Sequence, residues 1–136
     1  MTAAVGFQSW VGYVNTKKVD FSADTFTLFL TNSAPDAATD EVLADITEIS
    51  YANCSSRNLT LDSAGETAGT YTATFDPLTL TATGTVGPFR YLGIYDNTAT
   101  NDPLLCYYDY GSSLTLNSGD TFTFTPSGAT WTDAPA

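Results

Sequence analysis

Threonine alternating with large apolar residues is the feature of this 136-residue chain that leaves it the fewest folding options. In TFTLFLT (25–31), Phe26, Leu28 and Leu30 fall on one side and Thr25, Thr27, Phe29 and Thr31 on the other. The device returns in TYTATF (70–75), in LTLTAT (78–83) and around Phe122 and Phe124 in 121–125. A period of two with β-branched residues on the second face is the pattern of strands buried on one side and wetted on the other. A further short strand is expected at 58–62.

Two segments break the alternation. FRYLGIY (89–95) and LLCYYDY (104–110) are nearly continuous apolar and aromatic runs. They are joined by 96–103, rich in Asp, Asn and Thr and ending in Pro103, a composition with strong turn chemistry. They are read as a hairpin covered on both faces, entered at Gly87-Pro88, since proline is tolerated at a strand entry. Asn117-Ser118-Gly119-Asp120 predicts a tight turn before the last strand. One helix is expected: Thr39 or Asp40 can cap a run in which Val42, Leu43, Ile46 and Ile49 recur at helical spacing. Residues 62–69 (DSAGETAG) read as a polar loop and 132–136 as a short tail. The expected class is all-β, an antiparallel, jelly-roll-like β-sandwich with one short helix and an extended N-terminal arm.

The length suits a single core, here 21–136, preceded by an arm at 1–20. In that arm Phe7, Trp10 and Tyr13 recur three apart among small residues. One reading makes them an extra strand or plug on the domain's own core. The other makes them anchors on a neighbouring subunit, since Trp and Tyr are favoured there. Tyr107, Tyr108 and Tyr110 are candidates for the same interface. Tyr91 and Tyr95, or the three tyrosines of 107–110, would instead stack on sugars if their rings were coplanar and exposed.

Charge and composition remove several chemistries. The chain has 15 acidic and 4 basic side chains, a net charge of -11, and no histidine. Imidazole-based triads and zinc sites are therefore excluded. Neutralising nucleic-acid phosphates requires a basic stripe, and Lys17, Lys18, Arg57 and Arg90 are too few and scattered to form one. No run approaches the length of a membrane span, and 1–14 does not read as a secretory signal. Cys54 and Cys106 allow one disulfide or two small buried thiols. Carboxylates are the remaining catalytic material: Asp36, Asp40, Glu41, Asp45 and Glu48 around the expected helix, and Asp96 and Asp102 flanking a loop. A solvated role is expected for them. Asp96, Asn97, Asn101 and Asp102 carry calcium-type oxygens, but not at EF-hand spacing. No catalytic residue, cofactor or metal site is expected.

Phe29-Leu30-Thr31-Asn32-Ser33-Ala34-Pro35, followed by 40–49 (DEVLADITEI), resembles a group of small structural proteins of tailed bacteriophages. Those proteins open with a strand ending in LYTN and a Pro turn and continue with VLADLTE. The resemblance runs on through Tyr91-Leu92-Gly93-Ile94-Tyr95-Asp96 and ends in 114–122 (LTLNSGDTF), covering about residues 25 to 126. The arm at 1–20 departs from the group. The likeness implies a non-enzymatic virion protein, a capsid decoration or cement protein on the outer capsid face, assembled in the host bacterial cytoplasm. Its partners would be the major capsid protein and copies of itself in a homotrimer, without nucleic acid or membrane. A tail or neck component, and a carbohydrate-binding β-sandwich module, are the alternatives.

Overall fold

A computed structural model of the chain describes residues 4–126 and, by its backbone, the strand at 129–132. In chain order the elements are β1 (Val5–Gly6), α1 (Trp10–Asn15), β2 (Phe26–Thr31), a 3-10 turn (Leu43–Asp45), β3 (Leu61–Thr67) and β4 (Thr70–Phe75). There follow β5 (Leu78–Thr81), β6 (Val86–Asp96), β7 (Leu104–Leu116), β8 (Thr121–Phe124) and β9 (Ala129–Thr132). They form three antiparallel sheets, ordered β1-β7-β6-β2, β3-β4-β9 and β5-β8. The all-β class, with one short helix, is as expected.

The alternation in β2 sorts its side chains between two cores. Phe26, Leu28 and Leu30 join the main core, where Leu92 and Ile94 of β6 and Cys106 and Tyr108 of β7 meet Ala73, Phe75, Leu80 and Phe124 from the two smaller sheets. Phe29 points the other way, into a second cluster with Phe7, Tyr95 and Leu104. Leu43, Ile46 and Tyr107 pack against that cluster. The central strands are thus covered on both faces, which is why β6 and β7 carry apolar runs rather than alternation. The two threonines of β2 that turn to the second face are buried but paired. Thr27 donates to Asn58 Oδ1 at 2.9 Å and Thr31 to the Thr47 carbonyl at 2.6 Å.

The outer edge of β2 is closed by the 48–59 segment. Leu28 N–H donates to the Arg57 carbonyl, Ile49 N–H to that of Leu30, and Leu59 N–H to that of Phe26. The Leu30 amide donates to the Tyr51 hydroxyl at 2.8 Å, and the Arg57 guanidinium donates to the Leu28 carbonyl at 2.6 Å while lying 3.5 Å over the Tyr51 ring. An edge strand sealed in this way offers no template for stray pairing.

Two glycines are required by contacts. Gly93 pairs with Phe29 across β6 and β2, and a Cβ there would lie 2.0 Å from the phenyl ring. The ring rests directly on the backbone. Gly87 has φ +124°, and a Cβ on it would come within 2.7 Å of the Leu114 carbonyl, at the bulge where β6 enters its pairing with β7.

Several expected boundaries move. The helix at 39–49 is absent except for the 3-10 turn. Val42 is extended and bridges Pro103, Leu43 N–H donates to the Asp102 carbonyl, and Thr31 bridges Glu48. Pairing with the sheet outweighs helical spacing in so short a run. The helix lies instead at Trp10–Asn15. Residues 62–69 are not a loop, since β3 runs through them as a ladder with β4. Of the strand at 58–62, Asn58 makes only a bridge to Thr27, and β3 begins at Leu61. The tail at 132–136 lies outside the described residues, apart from the backbone of Thr132.

The expected arm at 1–20, of which 4–20 are described, is corrected over that part. Val5 and Gly6 pair with Tyr107 and Cys106, Phe7 N–H donates to the Leu105 carbonyl, and Trp10 is fully buried against Phe21 and Phe26. Burying those rings against the domain's own sheet removes them from water without needing a neighbour.

Gly93→Ala should lower unfolding free energy by about 1–3 kcal/mol through overpacking, and Phe29→Ala by about 3–5 kcal/mol. Urea denaturation of the double variant should show a loss well below the sum. Strict additivity would mean that the ring does not sit on Gly93.

Candidate functional site

The six aromatic candidates divide by burial. Phe7, Trp10 and Tyr108 are core residues at 2%, 0% and 1% exposure. They hold this domain together and are not surface anchors. Tyr108 stands edge-on to Phe124 at 5.2 Å. Tyr13 and Tyr107 are half-buried, and Tyr110 is exposed. Tyr107 sits between Phe7 at 5.5 Å and Tyr91 at 6.3 Å, while Tyr110 meets Phe122 at 5.5 Å. Among the described residues neither expected ring set offers an exposed flat platform, since Tyr95 and Tyr108 are buried, and Tyr91 and Tyr107 cross at 70°. Beside them Arg90 forks onto Asp109 at 2.9 and 3.1 Å.

The expected acidic cluster is used locally. Asp36 accepts from the Ala38 and Thr39 amides, Asp40 from the Asp36 amide, and Asp45 from the Glu41 and Val42 amides. Glu48 accepts from the Tyr51 hydroxyl at 2.7 Å. The amide donors hold Asp36 and Asp45 below the usual carboxylate range, the reverse of what a general acid needs. Asp96 is the exception, fully buried and raised. Among the described residues no group of three or more His, Cys, Asp or Glu side chains could hold a metal ion. Asp96 Oδ1 is itself committed to the Thr98 and Ala99 amides.

An apolar groove lies where the N-terminal segment crosses the β3–β4 hairpin. The groove, of about 450 Å³, is floored by Trp10 and Phe21 and walled by Val11, Val14, Val19 and Tyr71. Asp20 and Glu66 bring carboxylates to it. Val11 and Val14, three apart on α1, are 41% and 40% exposed. Turning Trp10 into the core leaves these two valines on the outer side of a short helix. Sequence reading marked the aromatics of this segment and passed over the valines. Their spacing was the available signal, obscured by the absence of a charged face on the helix.

Both cysteines are free thiols. Burial pushes the Cys106 thiol up to about 12 and raises that of Cys54. No helix among the described residues is long and apolar enough to cross a membrane. Compared with known proteins, the chain matches no family model, no curated protein and no solved structure.

In the native protein at pH 8, Cys106 should stay unmodified by an aromatic disulfide reagent and react only on unfolding, because thiolate is the attacking form. Absorbance at the released thiolate's band follows this. Fast stoichiometric labelling of Cys106 before unfolding would contradict its burial.

Proposed function

We propose that this chain is a non-enzymatic structural protein of a phage particle, a capsid decoration or cement subunit that adheres to the outer face of the shell. The observation that carries the adhesive part is the groove with Val11 and Val14 at its lip. Single exposed valines are ordinary, but valines continuous with an apolar groove form a patch of the kind used for docking. With Asp20 and Glu66 beside it on a body of net charge -11, the groove suits an apolar side chain flanked by Lys or Arg on the shell. The phage assignment itself rests on the sequence resemblance over 25–126.

The acidic surface fits the role. It repels packaged DNA and keeps crowded copies apart. A modest contact at each groove is multiplied when copies join as the trimer the resemblance implies, because each additional copy binds at high effective concentration. Exposed Tyr110, which packs on Phe122, and half-buried Tyr107, which packs on Phe7, lie outside the groove lining and would serve contacts between copies.

The test is Val11→Asp combined with Val14→Asp. Both positions are exposed, so stability should change by no more than about 0.5 kcal/mol per site. Binding to capsids, measured by co-sedimentation, should be lost. Undiminished co-sedimentation by a folded double variant would defeat the groove as the attachment site.

A further inference from the structure

Asp96 ends β6 with no exposed surface. Its Oδ1 accepts from the Thr98 and Ala99 amides at 2.9 and 3.0 Å, which shapes the turn into β7. Its Oδ2 meets no donor among the described residues. A bare carboxylate oxygen in the interior is costly, so the group beside it matters. Phe26 pairs with Asp96, Asn97 N–H donates to the Thr25 carbonyl at 2.8 Å, and Thr25 N–H donates to Thr98 Oγ1 at 2.8 Å. This stitching brings the Asp24 carboxyl against Asp96. Asp24 is tied back in turn, its Oδ2 accepting from the Asp20 amide at 2.9 Å. While both groups are ionised the contact is oxygen to oxygen, with nothing to donate. One proton turns it into a hydrogen bond.

We propose that Asp24 and Asp96 share a single proton, and that this proton clasps the end of the N-terminal segment to the β6–β7 turn, letting go as pH rises. The surroundings favour it. The charged residues tied into this corner by hydrogen bonds are further aspartates: Asp20, whose amide donates to Asp24, and Asp102, whose amide donates to the Ala99 carbonyl. Arg57 is engaged elsewhere, on the Leu28 carbonyl and the Tyr51 ring, and Tyr95 faces Arg57 rather than the pair. Burial first, and then Asp24, raise Asp96 to about 7, against the opposing pull of the two amides. Asp20 also lines the groove, so the clasp anchors one wall of it, whatever the groove binds.

The sign follows from linkage. The folded chain holds its proton to higher pH than the unfolded chain, whose aspartates titrate near 4. Stability therefore falls as pH rises from about 4 through about 7 and levels off above. Asp36 and Asp45 act oppositely, their lowered values giving stability that is lost on acidification.

Urea denaturation of the full chain between pH 5 and pH 8 tests the clasp. The folding equilibrium constant of the wild type should fall about tenfold or more across that range, one pKa unit of difference being a factor of ten. Asp96→Asn keeps an oxygen for the two amides and supplies a permanent donor toward Asp24, so it should abolish the fall, as should Asp24→Asn. The exposed Asp76→Asn should retain it. Carbon-13 NMR of the Asp96 carboxyl in the unmodified protein needs no variant and should show titration near neutrality. Titration below about pH 5, or a wild-type slope in both variants, would overturn the proposal. A midpoint at pH 8 raised by calcium in the wild type alone would do so too, by assigning the pair to a metal ion.

Discussion

Phe29 lying on the backbone of Gly93 is the contact on which the rest of this structure depends. A flat ring placed on a strand that has no side chain lets an aromatic face be buried on the side of the sheet opposite the main core. Once Phe29 and Tyr95 are there, that side must also be covered. The chain covers it with Phe7 from its N-terminal segment and with Leu43 and Ile46 from the loop after β2. The opening residues are thereby part of the fold's second layer. Their removal would uncover the sheet rather than release an appendage.

The same requirement explains which parts of the architecture were legible in the sequence. Strands with one wetter face advertise themselves, and β4, β5 and β8 show the threonine alternation; β2 shows it too, although both of its faces are buried and its threonines are paired rather than wetted. The doubly covered β6 and β7 show it in another way, as unbroken apolar runs. β3 was illegible because both faces of its hairpin arm are exposed beyond Leu61. With no core to face, Asp62 to Thr67 carry no hydrophobic period, and their strand is held by the ladder and by pairs such as Ser63–Thr74 at 2.7 Å. The false helix has a related cause. Val42, Leu43, Ile46 and Ile49 match a helical stripe, yet an extended chain passing between two cores satisfies the same spacing, with Leu43 and Ile46 against one cluster and Ile49 against the other.

The candidate site was less legible than the fold. Aromatic residues are conspicuous in a sequence, and Phe7, Trp10 and Tyr108 drew attention as possible anchors. Their size is what places them inside, where burying an aromatic ring contributes most. The surface they leave behind belongs to Val11 and Val14. The acids mislead in a similar manner. Most are turn builders that accept backbone amides, and the one fully buried carboxylate among the described residues, Asp96, is visible in the sequence only as a loop flank. Its partner Asp24 is 72 positions away in the chain, and only the β2–β6 register brings the two together.

Amide hydrogen exchange on the full chain is the most direct measurement of whether the N-terminal segment is structural cover for the central sheet. The amides of Phe7 and Gln8 donate to Leu105 and Ala37 carbonyls. They should be protected far above unfolded rates, alongside the β2 and β6 amides, with the exposed β3 strand exchanging sooner. Exchange of Phe7 and Gln8 at unfolded-chain rates while β2 and β6 stay protected would mean that the segment leaves the sheet in solution, and the account of a sheet buried on both faces by its own chain would fail.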